Sequence, residues 1–250
     1  EDTTRCDPDT VKKLYTTALN CGAEAIVLCD TVGHATPQGV RNLVRFVLEE
    51  VVKPSGSKIR VDWHGHRDRD LAVANSLAAF AAGADQVHGC AVCLGERVGN
   101  TPIDLMLVNL KLAGVIDRDL TKLREYCEKV ARAARVPLPH NYPVVGSDAF
   151  RTATGVHAAA VIKAYRKNDA KLANTVYSGV PSHLFGLDQR IEIGPMSGKS
   201  NVVYWLEKRG MAANEELVER ILAAAKQSSR VLTEEEILAL CGSAAHAGSS

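Results

Sequence analysis

Two histidines one residue apart end an apolar-alternating stretch, in the segment WHGHRDRD at residues 63–70. Residues i and i+2 of a β-strand point to the same face, so the side chains of His64 and His66 are predicted to project together. Two neighbouring imidazoles suit a single divalent metal ion. The alternative is that carboxylates such as Asp62 or Asp68 satisfy the ring nitrogens, and the spacing alone leaves both interpretations open.

Two other segments offer polar groups that could complete such a site. In GERVGN, residues 95–100, two glycines permit a tight turn, and Asn100 offers an amide oxygen to a hard cation such as magnesium or manganese. An ordinary loop is the alternative there. Asp30 and Thr31 follow a separate apolar run, where they either hold a substrate carboxylate or cap the next helix.

The seven cysteines give a weaker signal. Their odd number and scattered positions favour free thiols in a reducing compartment over a disulfide framework. Cys90 and Cys93 form a CxxC motif with His88 two residues before it, which also occurs in zinc and redox sites. No second CxxC and no matching HxxxH accompany the pair, so we expect ordinary strand-end cysteines.

Composition and charge exclude several classes of protein. The 250 residues are 46% hydrophobic and 24% charged, which is typical of a globular protein. Lysine and arginine number 30 against 29 acidic residues, so nothing suggests binding to nucleic acid or to an anionic membrane, and a small-molecule partner is expected. Acidic residues within the first 30 positions and the lack of an 18-residue apolar run predict a cytoplasmic protein without a signal peptide.

The elements that position these residues alternate between strands and helices. Strands are predicted to begin near residues 25, 58 and 85, each followed by a helix, which is typical of βαβ units on a parallel sheet. Helices are predicted to start at Asp7-Pro8 and at Thr36-Pro37. We favour a (β/α)8 barrel over a doubly wound sheet because polar residues gather at the end of every strand.

Five segments carry a family resemblance: EDTTR at 1–5, DTVGHATP at 30–37, HGHRDRDLAVANSLAAFAAGA at 64–84, GERVGN at 95–100 and TATGVHAAAVIKA at 152–164. Together they resemble the 2-isopropylmalate, homocitrate and citramalate synthase family. Its members are metal-dependent TIM-barrel enzymes that condense acetyl-CoA with a 2-oxo acid. The likeness continues through IGPMSGKS and the final TEEEILAL.

The resemblance implies a metal site. His64 and His66 would be two ligands of a divalent ion (Mg, Mn or Zn), and Asn100 would be a further ligand. The resemblance also implies that acetyl-CoA is the co-substrate. Glu96 and Arg97 are expected to brace the loop through an ion pair rather than to act on substrate.

The resemblance also assigns groups that handle the substrate. Thr31 would bind the carboxylate of the 2-oxo acid, and Glu1 would face the substrate side chain or help in proton transfer. His157 would serve in acid/base catalysis from a linker subdomain that reaches the active site of the neighbouring subunit, with Tyr177 beside it. The protein is therefore expected to be a homodimer.

The chain also departs from the family. It lacks the Asp-Gly-x-Arg motif of the first barrel strand, whose aspartate is a metal ligand in the family. We therefore expect residues 1–147 to be the C-terminal half of a barrel, from the end of strand four to strand eight, within a longer protein. Residues 148–241 would form helical linker subdomains, with Thr233 capping the last helix, and 242–250 a disordered tail. Alone, such a half barrel is expected to bind metal weakly, to turn over little and to leave two sheet edges unpaired.

These features favour a 2-isopropylmalate synthase-like acyltransferase of leucine biosynthesis, acting on 2-oxoisovalerate. Homocitrate, citramalate and Re-type citrate synthases have the same chemistry and stay open as alternatives. A lyase of the same barrel class and a catalytically inactive fragment or subunit are the more distant ones. Arg67 and Cys93 differ from residues common at their positions in the family and leave the surroundings of the ligands open.

Overall fold

The structure, a computed structural model, describes residues 1–242 and divides into two compact units. The first unit comprises Glu1–Arg118 and Glu125–Leu138, and the second comprises Asp119–Arg124 and the residues from Pro139 onward. The domain boundary after residue 147 and the assignment of residues 148–241 as linker subdomains stay predictions. Of the predicted tail, Gly242 is the last residue of a helix and the remainder lies outside the described residues.

The first unit alternates helices with short strands. In chain order its elements are α1 (Pro8–Asn20), β1 (Ala25–Asp30), α2 (Pro37–Val47), α3 (Lys53–Ser55), β2 (Arg60–Gly65), α4 (Ala72–Ala82), β3 (Gln86–Val87) and α5 (Ile103–Leu112). Helix α6 (Leu123–Ala134) begins in the residues of the second unit and continues into the first. It had not been predicted from the sequence.

The two predicted helix starts are confirmed. The carboxylate of Asp7 accepts a hydrogen bond from the backbone N–H of Thr10 at 2.9 Å, and Pro8 is the first residue of α1. The hydroxyl of Thr36 accepts in the same way from Gly39 at 3.2 Å at the start of α2. These caps define the residue at which each loop ends and the helix begins. The Thr36 cap thereby sets the end of the loop that follows β1.

The three strands form one parallel sheet in the order β1-β2-β3. In the β1–β2 register Asp30 lies opposite Gly65, so the carboxyl ends of both strands lie at the same edge. Strand β3 has only two residues. Beyond it the backbone of Cys90 exchanges hydrogen bonds with Thr101 and Ile103 instead of continuing along β2. A parallel α/β unit is thus confirmed, whereas a closed barrel and the C-terminal-half assignment remain predictions.

The core of the first unit lies between the sheet and its helices. Along β1, Ile26 and Leu28 are buried, whereas Val27 and Cys29 on the opposite face are only half-buried. Leu28, Val40 and Trp63 are among the side chains fully removed from solvent. Burial of a side chain such as Leu28 contributes about 1.5–3 kcal/mol, so this face anchors the strands whose ends carry the candidate site.

The second unit is mainly helical. Its elements are β4 (Arg151–Thr152), α7 (Gly155–Arg166), α8 (Ala170–Ala173), β5 (Arg190–Ile191), α9 (Lys199–Glu207), α10 (Glu215–Gln227) and α11 (Glu234–Gly242). Strands β4 and β5 pair in parallel, and α9, α10 and α11 bury a common core that includes Trp205, Ile221 and Ile237. Among residues 1–242, no helix is long and apolar enough to traverse a bilayer.

Candidate metal centre

The side chains of His64, in β2, and His66, directly after β2, converge. The Nε2 atoms of His64 and His66 lie 3.4 Å apart, with ring centroids 5.2 Å apart and planes at 82°. Two nitrogens bound to one ion at about 2.1 Å, with angles of 90–110° between them, are about 3.0–3.4 Å apart. The separation in this structure therefore matches a pair of ligands on one cation.

Asn100 lies beside this pair. It forms an isolated antiparallel bridge with His66, and its side-chain N–H groups donate to the carbonyl of Leu94 at 3.1 Å and to Sγ of Cys90 at 3.5 Å. Its Oδ1 is then a buried acceptor without a hydrogen-bond partner, and Nδ1 of His66 is also buried and unpartnered. Such orphaned groups cost about 1–3 kcal/mol each, which a cation would offset at the amide oxygen.

The residues present could supply some, but not all, of the ligands of a metal ion. They offer two imidazole nitrogens and one amide oxygen, and these donor types suit ions such as manganese or zinc. Within the described part of the chain, no group of three or more His, Cys, Asp or Glu side chains is placed to hold a metal. Further ligands would have to come from water, from substrate or from other protein groups.

The nearby carboxylates are engaged elsewhere. Asp62 pairs with Arg60 at 2.8 Å and approaches Nε2 of His88 at 3.6 Å, and Asp68 pairs with Arg97 at 2.8 Å. Over residues 1–242, neither His64 nor His66 has a carboxylate within ion-pair distance. The alternative interpretation, in which Asp62 or Asp68 satisfies the two imidazoles, therefore finds no support in the geometry.

Burial keeps His64 in the form that binds metal. Its pKa is lowered from the ordinary histidine value, first because burial disfavours the charged ring and then because His66 and His88 lie close to it. The ring centroids of His64 and His88 are 5.7 Å apart. A lowered pKa means that the imidazole remains neutral to lower pH, with a lone pair available for a cation.

Arg97 contacts mainly Asp68 and Thr31, whereas an ion pair with Glu96 was predicted. Its guanidinium donates twice to Asp68, at 2.8 and 2.9 Å, and once to the carbonyl oxygen of Thr31 at 2.7 Å. Glu96 is 3.9 Å away and more exposed, so the predicted Glu96–Arg97 brace is the lesser contact. Arg97 thus joins the loops that follow β1 and β2. The acidic positions shortly after His66 are the one local signal for this pairing.

Close backbone packing explains the glycines of GERVGN. A Cβ at Gly99 would lie 1.6 Å from the carbonyl oxygen of Cys93, and one at Gly95 would lie 2.6 Å from Nδ2 of Asn100. Both glycines also have a positive φ, at +101° and +150°. The turn therefore seats the amide of Asn100 only if these two positions lack side chains. Cys90 and Cys93 form no disulfide, and Sγ of Cys93 accepts a hydrogen bond from the guanidinium of Arg67.

Thr31 and Glu1 lie near each other at the carboxyl end of β1. The backbone N–H of Asp2 donates to Oγ1 of Thr31 at 2.6 Å, so the exposed Glu1 is one residue from that contact. Asp30 is fully buried and accepts hydrogen bonds from Oγ1 of Thr4 and the N–H of His34, both at 2.9 Å. Asp30 therefore orders the loop, whereas the hydroxyl proton of Thr31 remains available to a ligand.

His157 and Tyr177 come together in the second unit. Their rings stack with centroids 4.3 Å apart at an interplanar angle of 29°, and both side chains are exposed. His157 lies in the first turn of α7. The structure thus confirms that these two residues are neighbours, and their catalytic role remains a prediction.

Curated relatives cover most of the chain. A homocitrate synthase AksA from Methanopyrus kandleri is 34% identical over 228 residues, covering 90% of this chain and 54% of that protein. An (R)-citramalate synthase from Aquifex aeolicus is 36% identical over 211 residues, covering 83% and 37%. A probable 2-isopropylmalate synthase from Methanopyrus kandleri is 34% identical over 229 residues, covering 91% and 43%. The chain spans about half the length of these relatives, or less.

A family model matches the part of the chain that carries the candidate metal centre. The model is described as HMGL-like and covers residues 1–130, which include β1 to β3, the paired histidines and the GERVGN turn. This match spans more than half of the 250 residues. The chain therefore belongs to the HMGL-like family.

Proposed function

We propose that the protein carrying this chain condenses acetyl-CoA with a 2-oxo acid and hydrolyses the thioester, with 2-oxoisovalerate as the 2-oxo acid. The observation that carries the proposal is the convergence of His64 and His66 beside the unpartnered Oδ1 of Asn100. The curated relatives support the reaction class because their names denote synthases that form three different 2-alkylmalate-type products. The product would be 2-isopropylmalate, a precursor of leucine.

The chain's own residues would divide the work as follows. His64, His66 and Asn100 would hold a divalent ion, which when bound supplies Lewis-acid polarisation of the substrate carbonyl. Thr31 would donate its hydroxyl proton to the carboxylate of the 2-oxo acid, and Asp2 would fix the orientation of that hydroxyl.

Proton transfer completes the proposed reaction. A base removes a methyl proton from acetyl-CoA, the resulting carbanion attacks the ketone carbon, and the ketone oxygen takes up a proton to become the product hydroxyl. Water then cleaves the thioester to release CoA. His157 is proposed as the acid/base group, with its ring held by the stacked Tyr177. Glu1 is proposed to assist near Thr31. Cleavage of the thioester makes the cycle irreversible.

The wider architecture belongs to the same proposal. A (β/α)8 barrel, of which residues 1–147 form the C-terminal half, would gather the strand ends into one active site. Linker subdomains over 148–241 would place His157 at the site of the neighbouring subunit in a cytoplasmic homodimer. Nucleic acid and membrane are not expected partners.

Homocitrate and citramalate synthesis are the alternative functions, because two of the relatives bear those names. A Re-type citrate synthase would use the same groups. The four activities differ only in the side chain of the 2-oxo acid, so the substrate must be assigned by experiment.

The test is thiol release from acetyl-CoA by the full-length protein, followed with Ellman's reagent in the presence of Mg²⁺ or Mn²⁺. We expect release with 2-oxoisovalerate and loss of that release in His66→Ala. Release only with 2-oxoglutarate, pyruvate or oxaloacetate would transfer the assignment to homocitrate, citramalate or citrate synthesis. The absence of thiol release with all four acids in a folded, metal-loaded protein would indicate an inactive subunit and would overturn the proposal.

A further inference from the structure

The second unit contains a cavity of about 670 Å³ that the proposed reaction does not use. Its walls come from β5, the end of α9 and the start of α11, and neither His157 nor Tyr177 lines it. A volume of this size lies within the range of small-molecule sites, about 300–1,000 Å³.

One wall of the cavity is aromatic. Tyr165 and Tyr204 stack with centroids 6.1 Å apart and planes at 16°, and both are only partly buried. Trp205 lies beside them with the guanidinium of Arg209 3.7 Å from its ring centroid. Aromatic faces of this kind are the surfaces on which nucleobases stack, whatever the identity of the base.

The cavity also holds two cations without carboxylate partners. Arg151 pairs with Glu192, and Arg209 pairs with Glu234, so those charges are balanced. Among residues 1–242, no carboxylate lies within ion-pair distance of Arg190 or Lys208, and Nζ of Lys208 is 5.7 Å from the ring centroid of Tyr165. Two unpaired cations in the lining of one cavity suit a phosphate group, which offers several acceptor oxygens and more than one negative charge.

Two further polar side chains, those of Gln189 and Asp188, also line the cavity. Nε2 of Gln189 is buried and has no hydrogen-bond partner, so a donor is left without an acceptor. Asp188 precedes it in the same wall and forms no ion pair within the described residues. A carboxylate beside an aromatic surface is suited to accept hydrogen bonds from ribose hydroxyls.

We propose that this cavity binds a nucleotide, with its phosphate at Arg190 and Lys208, its base on the Tyr165–Tyr204 wall and its ribose at Asp188. The amide of Gln189 donates to an acceptor on the same ligand. Free nucleotides and the nucleotide part of CoA share this chemistry, so both are probes of the site. The proposal is independent of the condensation reaction because it requires neither a metal ion nor a 2-oxo acid.

The test is isothermal titration calorimetry of the metal-free 250-residue chain with ADP and with CoA. We expect saturable binding at one site per chain, and at least tenfold weaker binding in Arg190→Ala/Lys208→Ala. The matched control is Lys167→Ala/Lys171→Ala, which removes two exposed positive charges of the same unit outside the cavity and is expected to change affinity less than twofold. Circular dichroism establishes that every variant is folded.

Asp188→Asn separates the ribose contact from the phosphate contact. It is expected to weaken ADP binding several-fold and to leave pyrophosphate binding unchanged, whereas the Arg190/Lys208 variant weakens both. Equal affinity for ADP and CoA assigns the site to nucleotides in general, and binding of CoA alone assigns it to the co-substrate. No saturable binding of either ligand, or equal losses in the two double variants, overturns the proposal. Because thiol release is measured separately, this result does not depend on that activity.

Discussion

At the scale of single residues, the convergence of the two histidines in the candidate metal centre was predictable from the sequence pattern. The i, i+2 spacing of His64 and His66 predicts that both rings lie on one face of a strand, and the structure places their Nε2 atoms 3.4 Å apart. The Arg97–Asp68 pair was not predictable in the same way. Its partners are 29 positions apart, and their contact depends on a glycine turn whose geometry no local pattern specifies.

Removal of one imidazole tests the metal centre directly. We expect His64→Ala to lower the association constant for Mn²⁺ by at least about tenfold, because only one ring nitrogen would then remain beside Asn100. His34→Ala removes an exposed histidine of the same unit and is expected to leave the affinity unchanged. Calorimetric titration of the apo chain measures both, and equal affinity in the two variants would argue against a site at His64.

Burial also predicts which thiols react. Desolvation, with a smaller contribution from the charge of Asp104, raises the pKa of Cys127 to about 12. From the reference thiol value of 9.0, the thiolate fraction at pH 8 falls roughly a thousandfold. Iodoacetamide at pH 8 should therefore modify the exposed Cys6 and Cys21 and spare Cys127 until the chain is unfolded. Peptide mass spectrometry reports each site, and labelling of Cys127 at the rate of Cys6 would contradict the burial.

At the scale of elements, predictions succeeded where a cap or a periodic stretch marked the boundary. Asp7, Thr36 and Thr233 all cap helices as expected. The start of helix α9 is not marked in the sequence, because its first residues lie in the glycine- and serine-rich SGKSN, which is typical of loops. Its start is stabilised instead by Asn201, whose side-chain oxygen accepts from the N–H of Gly198 at 3.2 Å. Strand β3 ends at Val87, and beyond it the backbone of Cys90 pairs with Thr101.

The capping box of α11 gives a prediction on stability. Oγ1 of Thr233 accepts from the N–H of Glu236 at 3.3 Å, and the Glu236 carboxylate accepts from the N–H of Thr233 at 2.8 Å. Thr233→Ala should lower the free energy of unfolding of the second unit by about 1 kcal/mol, since an N-cap acceptor is lost. Thr233→Ser retains the hydroxyl and should lose much less. Urea unfolding followed by circular dichroism measures both variants.

The same box predicts a pH dependence. Hydrogen bonds from Arg230, and then from the backbone of Thr233, lower the pKa of Glu236 from 4.5 to about 2. Because the folded-state pKa is the lower one, this stabilisation is present above about pH 4.5 and is lost as the pH falls towards 2. The difference in urea midpoint between the natural chain and Glu236→Gln should therefore shrink between pH 5 and pH 2. A constant difference over that range would exclude the ionised Glu236 as its source.

At the scale of the whole molecule, composition and the βαβ rhythm predicted a parallel α/β unit, and the structure bears this out for residues that the HMGL-like family model covers. The choice of 2-oxo acid was not predictable from the same information. Relatives with three different product names share similar identity with the chain, from 34% to 36%, so overall similarity does not separate them. Discrimination between substrates depends on a few pocket contacts that such an average does not resolve.

A half barrel was expected to leave two sheet edges unpaired. In the structure, side chains form hydrogen bonds with backbone groups of the edge strand β1. Along β1 the N–H of Cys29 donates to Oγ1 of Thr3 at 3.2 Å, and the hydroxyl of Tyr15 donates to the carbonyl of Val27 at 2.9 Å. Exposed strand edges recruit other chains, so these contacts oppose edge-to-edge association. We therefore expect Tyr15 to oppose association of the chain through this edge, in addition to its packing in α1.

Tyr15→Phe tests that role. It keeps the ring in the core and removes only the hydroxyl, which leaves the Val27 carbonyl without this partner at a cost of about 1–3 kcal/mol. We expect a lower urea midpoint and a concentration-dependent rise in light scattering at concentrations where the natural chain stays dispersed. Tyr126→Phe, at an exposed tyrosine of α6, is the matched control and should change neither. Loss of stability without added scattering would mean that the hydroxyl supports packing alone, because the edge would then be protected by other groups.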